Sequence, residues 1–341
     1  MQGKLTLSNL IIISLILLII SGAGFWIISA PRQHEAAADA EPAPAFMIPG
    51  QLLEVPAAIW SSYRSLAGSA PEPAADFGKQ VTILLLGLDT RGLSDAIMIV
   101  SYNDETFESS IIALKRDTYV SFQDWSEKGR GHSALGWANF VGMGYGEGEY
   151  IDGAGYAAHT VSRLLGIEID YYASITFDGF IELIDLIGGV TVDVPSGFAE
   201  RSGPKLTPGR QHLSGEEALI FARHRMKPRI PEPNSISEDG DRVRRNQRLL
   251  QAVLQQCKTL STDELLEIYN QLGDNLHSNL DDWELLTMAN LFFNKDPREM
   301  NLIVLPGEIR TVHEDIIEED VEYFFLDEAE SAKILSDLGL K

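Results

Sequence analysis

Eight lysines and arginines lie between Arg223 and Arg248 against four acids, although the whole chain of 341 residues carries 27 Lys+Arg and 50 Asp+Glu. A cationic stretch inside a chain of net charge −23 marks either an anion site or a charged face laced with its own acids. Arg223 and Arg225 are two apart, so an extended backbone sends both guanidinia to one side. Arg242 and Arg245 are three apart and share a face on a helix. Asp239 and Asp241 stand at the start of that helix, where carboxylates suit the dipole. Clustered arginines repel one another unless an anion joins them, and their planar forks match phosphate oxygens two at a time. Charge counts alone weigh equally for a phosphate clamp and for a salt-bridged face.

A second set of residues follows short apolar runs. Asp89 and Arg91 come after LLLGL, Asp95 precedes AIMIVSYN, and Arg116-Asp117 follows SIIALK. Ligands of open α/β sheets sit at such strand ends. Two nearby carboxylates with arginines can hold Mg²⁺ against a diphosphate. The competing reading makes Asp89 and Asp95 turn caps.

Other motifs carry less. Gly153-x-Gly155-x-x-Ala158 follows EYID rather than an apolar strand, so it reads as a turn and helix start, not a dinucleotide fingerprint. GHSALG (131–136) has its second glycine one residue late for a nucleophile elbow, and no strand leads into it. The seven histidines show no zinc spacing. The one cysteine, Cys257, excludes an internal disulfide framework. The glycine-rich stretch 142–148 reads as a flexible loop able to move over a site. A net charge of −23 argues against wrapping duplex nucleic acid.

These residues need a scaffold. Strands are expected at 81–88, 96–103, 110–115, 171–177, 190–194, 302–305 and 321–325. Helices are expected at 157–165, 178–187, from Ser214 as N-cap, and at 241–256, 263–272, 282–293 and 328–338. Their alternation predicts an α/β fold: a central mixed β-sheet with helices on both faces, in α/β/α layers. Residues 31–79 read as an Ala/Pro-rich linker with a short helix near 53–66. No charge falls between Lys4 and Arg32, and the apolar stretch 10–30 is long enough to cross a bilayer as one helix. Its flanks put residues 1–9 in the cytoplasm and 80–341 outside, on a single-pass anchor in membrane lipid. A cleaved signal peptide is the alternative.

The pieces LLLGLDTR (84–91), SDAIMIVS (94–101), KRDT (115–118), IDYYASITFDGFIELIDLIGGVTVDV (169–194), LSGEEALIFARHR (213–225) and DGDRVRRNQ (239–247) together resemble the LytR–CpsA–Psr family. Its members are membrane-anchored enzymes that transfer glycopolymers from a polyprenyl diphosphate carrier to the bacterial cell wall. The resemblance covers core motifs over 80–256, with a weaker match in the extension 257–341. It implies that Asp89 and Asp95 bind Mg²⁺, and that Arg91, Arg116, Arg223, Arg225 and Arg242 bind the diphosphate. Asp239 and Arg245 match the last motif. It also implies an apolar pocket beneath the sheet for the polyprenyl chain, with the apolar faces of 171–194 and of helix 241–256 as candidate lining. The chain departs from the family pattern in four places. Lys115 stands where a proline is usual, His132 where a lysine is usual, and Asn246 where a glutamine is usual. The spacer between Arg225 and Asp239 is long. His132 and Asn246 remain candidate substrate contacts.

The chemistry so implied is phosphoryl transfer, with a peptidoglycan hydroxyl attacking the phosphorus that bears the glycan and polyprenyl phosphate leaving. Asp89, Arg116, Arg223 and Arg225 form the catalytic set. Asp117 is a candidate proton acceptor beside direct activation by the metal. A phosphohydrolase using water on the same lipid diphosphate would need the same residues. A non-catalytic lipid-binding assembly protein is the third reading. A membrane-bound DNA regulator comes last, since nine cytoplasmic residues are too few to bind DNA.

Overall fold

The structure is a computed structural model. It describes residues 45–48, 51–54, 80–103, 105–122, 132–145, 152–195, 198, 206–224, 238–260, 264, 267–268, 271–280, 296–314 and 318–341. The expected span 10–30, the helix 282–293 and most of 263–272 lie outside these residues. Among the described residues no helix is long and apolar enough to cross a membrane.

Six strands form the central sheet: β3 (Gln80–Leu88), β4 (Ser94–Asn103), β5 (Ser109–Leu114), β8 (Tyr171–Thr176), β11 (Leu276–Ser278) and β12 (Asn301–Val304), in the order β11-β8-β3-β4-β5-β12. The β3–β4, β4–β5 and β11–β8 pairs are antiparallel, while β3–β8 and β12–β5 are parallel, so the sheet is mixed as expected. Both edge strands come from beyond residue 256, so the C-terminal stretch completes the sheet rather than extending it.

Alternation along β3 explains why both faces are covered. Val81 and Ile83 enter one buried cluster, and Leu84 and Leu86 enter the other. The first face carries α3 (Phe177–Leu186), α4 (Gly215–Arg223), α5 (Glu238–Cys257) and the hairpin of β9 (Val190–Val194) with β10 (Gly209–Leu213). The second carries α1 (Ala138–Tyr145), α2 (Gly153–Leu165) and α6 (Glu328–Asp337). Ser214 caps α4 in a capping box with Glu217, a device worth about 1 kcal/mol. Buried Gln247 donates to the carbonyls of Ile111 and Ile303 at 2.8 and 2.7 Å, which fixes α5 across β5 and β12. Cys257 is buried at the end of α5, and burial pushes its thiol pKa up.

Two expectations need correction. β1 (Ala45–Ile48) and β2 (Gln51–Glu54) pair antiparallel, so no helix begins at 53. The stretch 142–145 is helical, the end of α1, rather than loop. Gly142 is there for contact: a Cβ on it would lie 2.5 Å from Tyr156 Cβ and 2.9 Å from Gly153 Cα. Its role is close packing of α1 on α2. Asp152 caps α2 and also anchors the sheet edge, accepting from Tyr172 at 2.9 Å and meeting His277 Nε2 of β11 at 2.6 Å. That bond to Asp152 raises the His277 pKa against the pull of burial.

Two smaller antiparallel pairs complete the fold. β6 (Tyr119–Ser121) pairs with β7 (His132–Ala134), and β13 (Gly307–Glu314) pairs with β14 (Glu319–Leu326).

Candidate active site

The site begins with an irregularity. β3 and β4 pair regularly from Gln80↔Asn103 to Gly87↔Ala96, but the next pair is Leu88↔Ser94. Asp95 is therefore the extra residue of a β-bulge, a device that re-aims a side chain at a strand end. Its carboxylate is only 11% exposed and is met by three arginines. Arg116 Nη1 donates to Oδ1, Arg242 Nη1 lies 3.8 Å from the same oxygen, and Arg223 Nε lies 3.5 Å from Oδ2.

Each arginine arrives on a different element. Arg116 follows β5 and is backed by the short 3₁₀ turn Leu135–Trp137. Gly136 N–H donates to the Arg116 carbonyl at 2.7 Å, and Leu135 N–H donates to that of Thr118 at 2.7 Å. From the other side Phe324 of β14 donates to the Asp117 carbonyl at 2.8 Å, and buried Lys115 sets its Nζ 3.8 Å from the Phe324 ring centroid. Arg223 ends α4, half exposed, with its guanidinium 4.5 Å from the Phe177 ring centroid. Arg242 lies in the first turns of α5 and is 3% exposed.

A Cβ on Gly136 would lie 3.0 Å from the Ser94 carbonyl oxygen and 3.3 Å from Arg116 Cβ. Gly136→Ala should therefore push Arg116 off Asp95. We expect activity to fall about tenfold or more at a melting temperature within a few degrees of wild type, as for a small misplacement of a positioning contact. Unchanged activity in this variant would show that the 3₁₀ turn does not hold Arg116.

Asp89 closes the β3–β4 turn. Its Oδ1 accepts the Arg91 and Leu93 N–H groups, both at 2.9 Å, and its Oδ2 accepts the Arg91 guanidinium at 3.2 and 3.0 Å. Burial pulls its pKa upward, but the Leu93 and Arg91 N–H groups and the Arg91 charge outweigh it and hold the carboxyl below its ordinary value. A carboxylate that stays ionised and lies across a short turn from Asp95 suits a hard cation. Among the described residues no group of three or more His, Cys, Asp or Glu gathers to hold a metal. Asp89 and Asp95 are the carboxylates that would hold Mg²⁺, an ion that takes much of its shell from phosphate and water. Arg91, 69% exposed, can swing from Asp89 at little cost.

Beneath this charged mouth a cavity of about 140 Å³ opens between the sheet and α3, α4 and α5. Its polar end is made by Asp95, Arg223, Arg242 and Asn246, and the rest is almost wholly apolar, with Met98, Ile175, Phe180, Leu183, Leu249 and Val253 among its walls. Both candidate linings, 171–194 and 241–256, contribute. Asn246 Oδ1 is buried there without a hydrogen-bond partner among the described residues.

The structure thus brings Asp95, Arg116, Arg223 and Arg242 together, with Asn246 at the cavity and Asp117 beside Arg116 at 3.3 Å. Arg245 is placed differently. It is buried on the same helix but donates to the carbonyls of Phe221 and His224, tying α5 to the end of α4. The expected extended pairing of Arg223 with Arg225 also changes, because α4 continues through Arg223 and the chain turns extended only at His224. Arg225 lies outside the described residues. Of His132 and Asp239 only the backbone is described, in β7 and the first turn of α5. Sequence reading missed Phe177 and Gly136; neither bears charge, and the contacts of both are made across distant segments.

Comparison with known proteins shows the family and the fold. The LytR_cpsA_psr family matches residues 60–339. Biofilm regulatory protein A of Streptococcus mutans is 29% identical over 234 residues, 63% of this chain and 53% of that protein. The polyisoprenyl-teichoic acid–peptidoglycan teichoic acid transferase TagU of Enterococcus faecalis is 28% identical over 207 residues, 58% of this chain and 61% of that one. The chain thus spans between about half and two thirds of these relatives' lengths. The crystal structure of Bacillus subtilis TagV shares the fold, with a TM-score of 0.60 at 24% identity over 76% of this chain and 96% of that one.

Proposed function

The chain belongs to the LytR–CpsA–Psr family, and we propose that it transfers a glycopolymer from a polyprenyl diphosphate carrier to a hydroxyl of peptidoglycan. One observation carries the reading. Asp95, Arg223 and Arg242 of the arginine cluster line one end of an apolar cavity, so adjoining parts of one site offer forks for phosphate and a dry slot for a hydrocarbon chain. The TagU relative is named as a transferase of teichoic acid from a polyisoprenyl-linked form to peptidoglycan, which supports the reading.

The diphosphate sits against Arg116, Arg223 and Arg242, with Arg91 and Arg225 as further candidates, and the prenyl chain enters the cavity. The acceptor oxygen attacks the phosphorus attached to the glycan, the bridging P–O bond breaks, and polyprenyl phosphate leaves with the bridging oxygen. The arginines stabilise the charge that gathers on the leaving phosphate, where little covalent help is needed. The hydroxyl proton goes to a carboxylate. Asp117, paired with Arg116 but 44% exposed, is the one the arginines do not enclose. Asp89 and Asp95 would hold Mg²⁺, which supplies further neutralisation of the diphosphate when bound. The charge-free stretch 10–30 supports a chain anchored in the cytoplasmic membrane with this domain outside.

The test is product analysis with full-length chain in detergent, lipid-linked glycan and peptidoglycan. Release of polyprenyl phosphate that requires peptidoglycan, with a new phosphodiester on the wall polymer, supports transfer. Equal release without peptidoglycan makes the protein a hydrolase, and no release leaves lipid binding alone.

A further inference from the structure

We propose that Trp137 and Phe140 form a platform on which a pyranose ring of the acceptor glycan stacks. The proposal rests on the transfer reading and assigns its acceptor side. The prenyl cavity lies on the sheet face covered by α3, α4 and α5, so the acceptor must approach the phosphorus from elsewhere. The 3₁₀ turn Leu135–Trp137 and α1 lie on the opposite face, and the turn meets the charged cluster at the Arg116 backbone.

The segment is fastened to the site at both ends. Gly136 N–H donates to the Arg116 carbonyl at 2.7 Å, and Asn139 Nδ2 donates to the Gly92 carbonyl at 2.8 Å, in the turn that carries Asp89 and Arg91. Ala138, between these ties, is buried in the core, and the exposed apolar side chains come just after the second tie. Phe140 is 41% and Met143 65% exposed, and the half-buried Trp137 ring meets Phe140 edge to face, with centroids 5.7 Å apart. Two rigid rings held at a right angle offer flat apolar surface at little entropic cost, which suits the C–H face of a sugar. Exposed aromatics beside a charged site also suit a bilayer surface, but the charges argue against it. From Ser133 to Tyr145 there is no lysine or arginine, and Glu147 and Glu149 follow, so anionic headgroups would be repelled.

The experiment uses full-length chain. With lipid-linked donor, Phe140→Ala should raise the acceptor KM about tenfold, leaving donor KM and kcat at saturating acceptor unchanged, and Trp137→Ala should raise the acceptor KM at least as much. Trp137→Tyr should keep most of the acceptor affinity, a rescue that a packing defect would not show. Calorimetry with a peptidoglycan tetrasaccharide should report the same losses without turnover. Unchanged acceptor KM and saccharide affinity in both alanine variants would overturn the platform while the transfer reading stands. Aromatic-dependent saccharide binding without any transfer by wild type would keep the platform and remove the transfer reading. In proteoliposomes, brominated lipid should leave Trp137 fluorescence untouched in a chain whose other tryptophans are phenylalanine. Strong quenching would make the surface a membrane contact and overturn the proposal.

Discussion

Asp95→Asn should lower turnover by about 10²-fold or more while the binding of inorganic pyrophosphate becomes tighter. The two effects have opposite signs for one reason. Arg116, Arg223 and Arg242 converge on a single carboxylate, so Asp95 holds the place of an anion and sets the arginines in position. Neutralising it removes their organiser and one candidate metal ligand. It also removes the one negative charge that the three guanidinia share among the described residues, leaving Asp117 on Arg116 alone. The bare cluster should cost the fold about 1–3 kcal/mol, below the penalty of a fully buried broken pair because Arg223 is half exposed. Added pyrophosphate should raise the melting temperature of the variant by more than it raises that of wild type, since the tighter a ligand binds the folded state the more it stabilises it at a given concentration. A turn cap would behave otherwise. Turnover would survive, and pyrophosphate would bind as before.

How much of this was legible in the sequence depends on the range of the interaction. The apolar runs at 81–88 and 96–103 and the helix opening at Ser214 are local signals, and each forms where it was expected. Asp89 and Asp95 could be placed at strand ends because an apolar run stops beside each of them. The bulge that turns Asp95 toward the arginines could not be read, since a one-residue insertion leaves no periodic trace in ten residues of strand. Arg242 and Arg245 look alike by spacing. Their heads part because the carbonyls at the end of α4 lie within reach of Arg245 and Asp95 lies within reach of Arg242. Glycine misled at 142, where it serves a helix contact, because composition does not distinguish freedom from close approach. The edge strands β11 and β12 pair with segments far away in the chain, and nothing local encodes the partner.

Filling the cavity at Ala222 should separate the hydrocarbon from the phosphate. Ala222 lies in the wall contributed by α4, and Met98 faces the same space from β4. A phenyl ring in Ala222→Phe, or an indole in Met98→Trp, would occupy volume that the first isoprene units need. Each methylene kept from burial forfeits about 0.8 kcal/mol, so displacing four of them costs about 3 kcal/mol, or roughly a 150-fold loss of polyprenyl phosphate affinity. Asp95, Arg116 and Arg242 are untouched, so inorganic pyrophosphate should bind both variants as it binds wild type. The lining gains contact partners across an apolar gap, and the melting temperature should hold or rise slightly. The expected result is thus a hundredfold change for the lipid and none for the free anion, measured by calorimetry on the same preparations. Equal losses for both ligands would mean that the ring had disturbed the arginines. Equal retention would mean that the cavity receives no chain, and the site would then be one for a soluble phosphate.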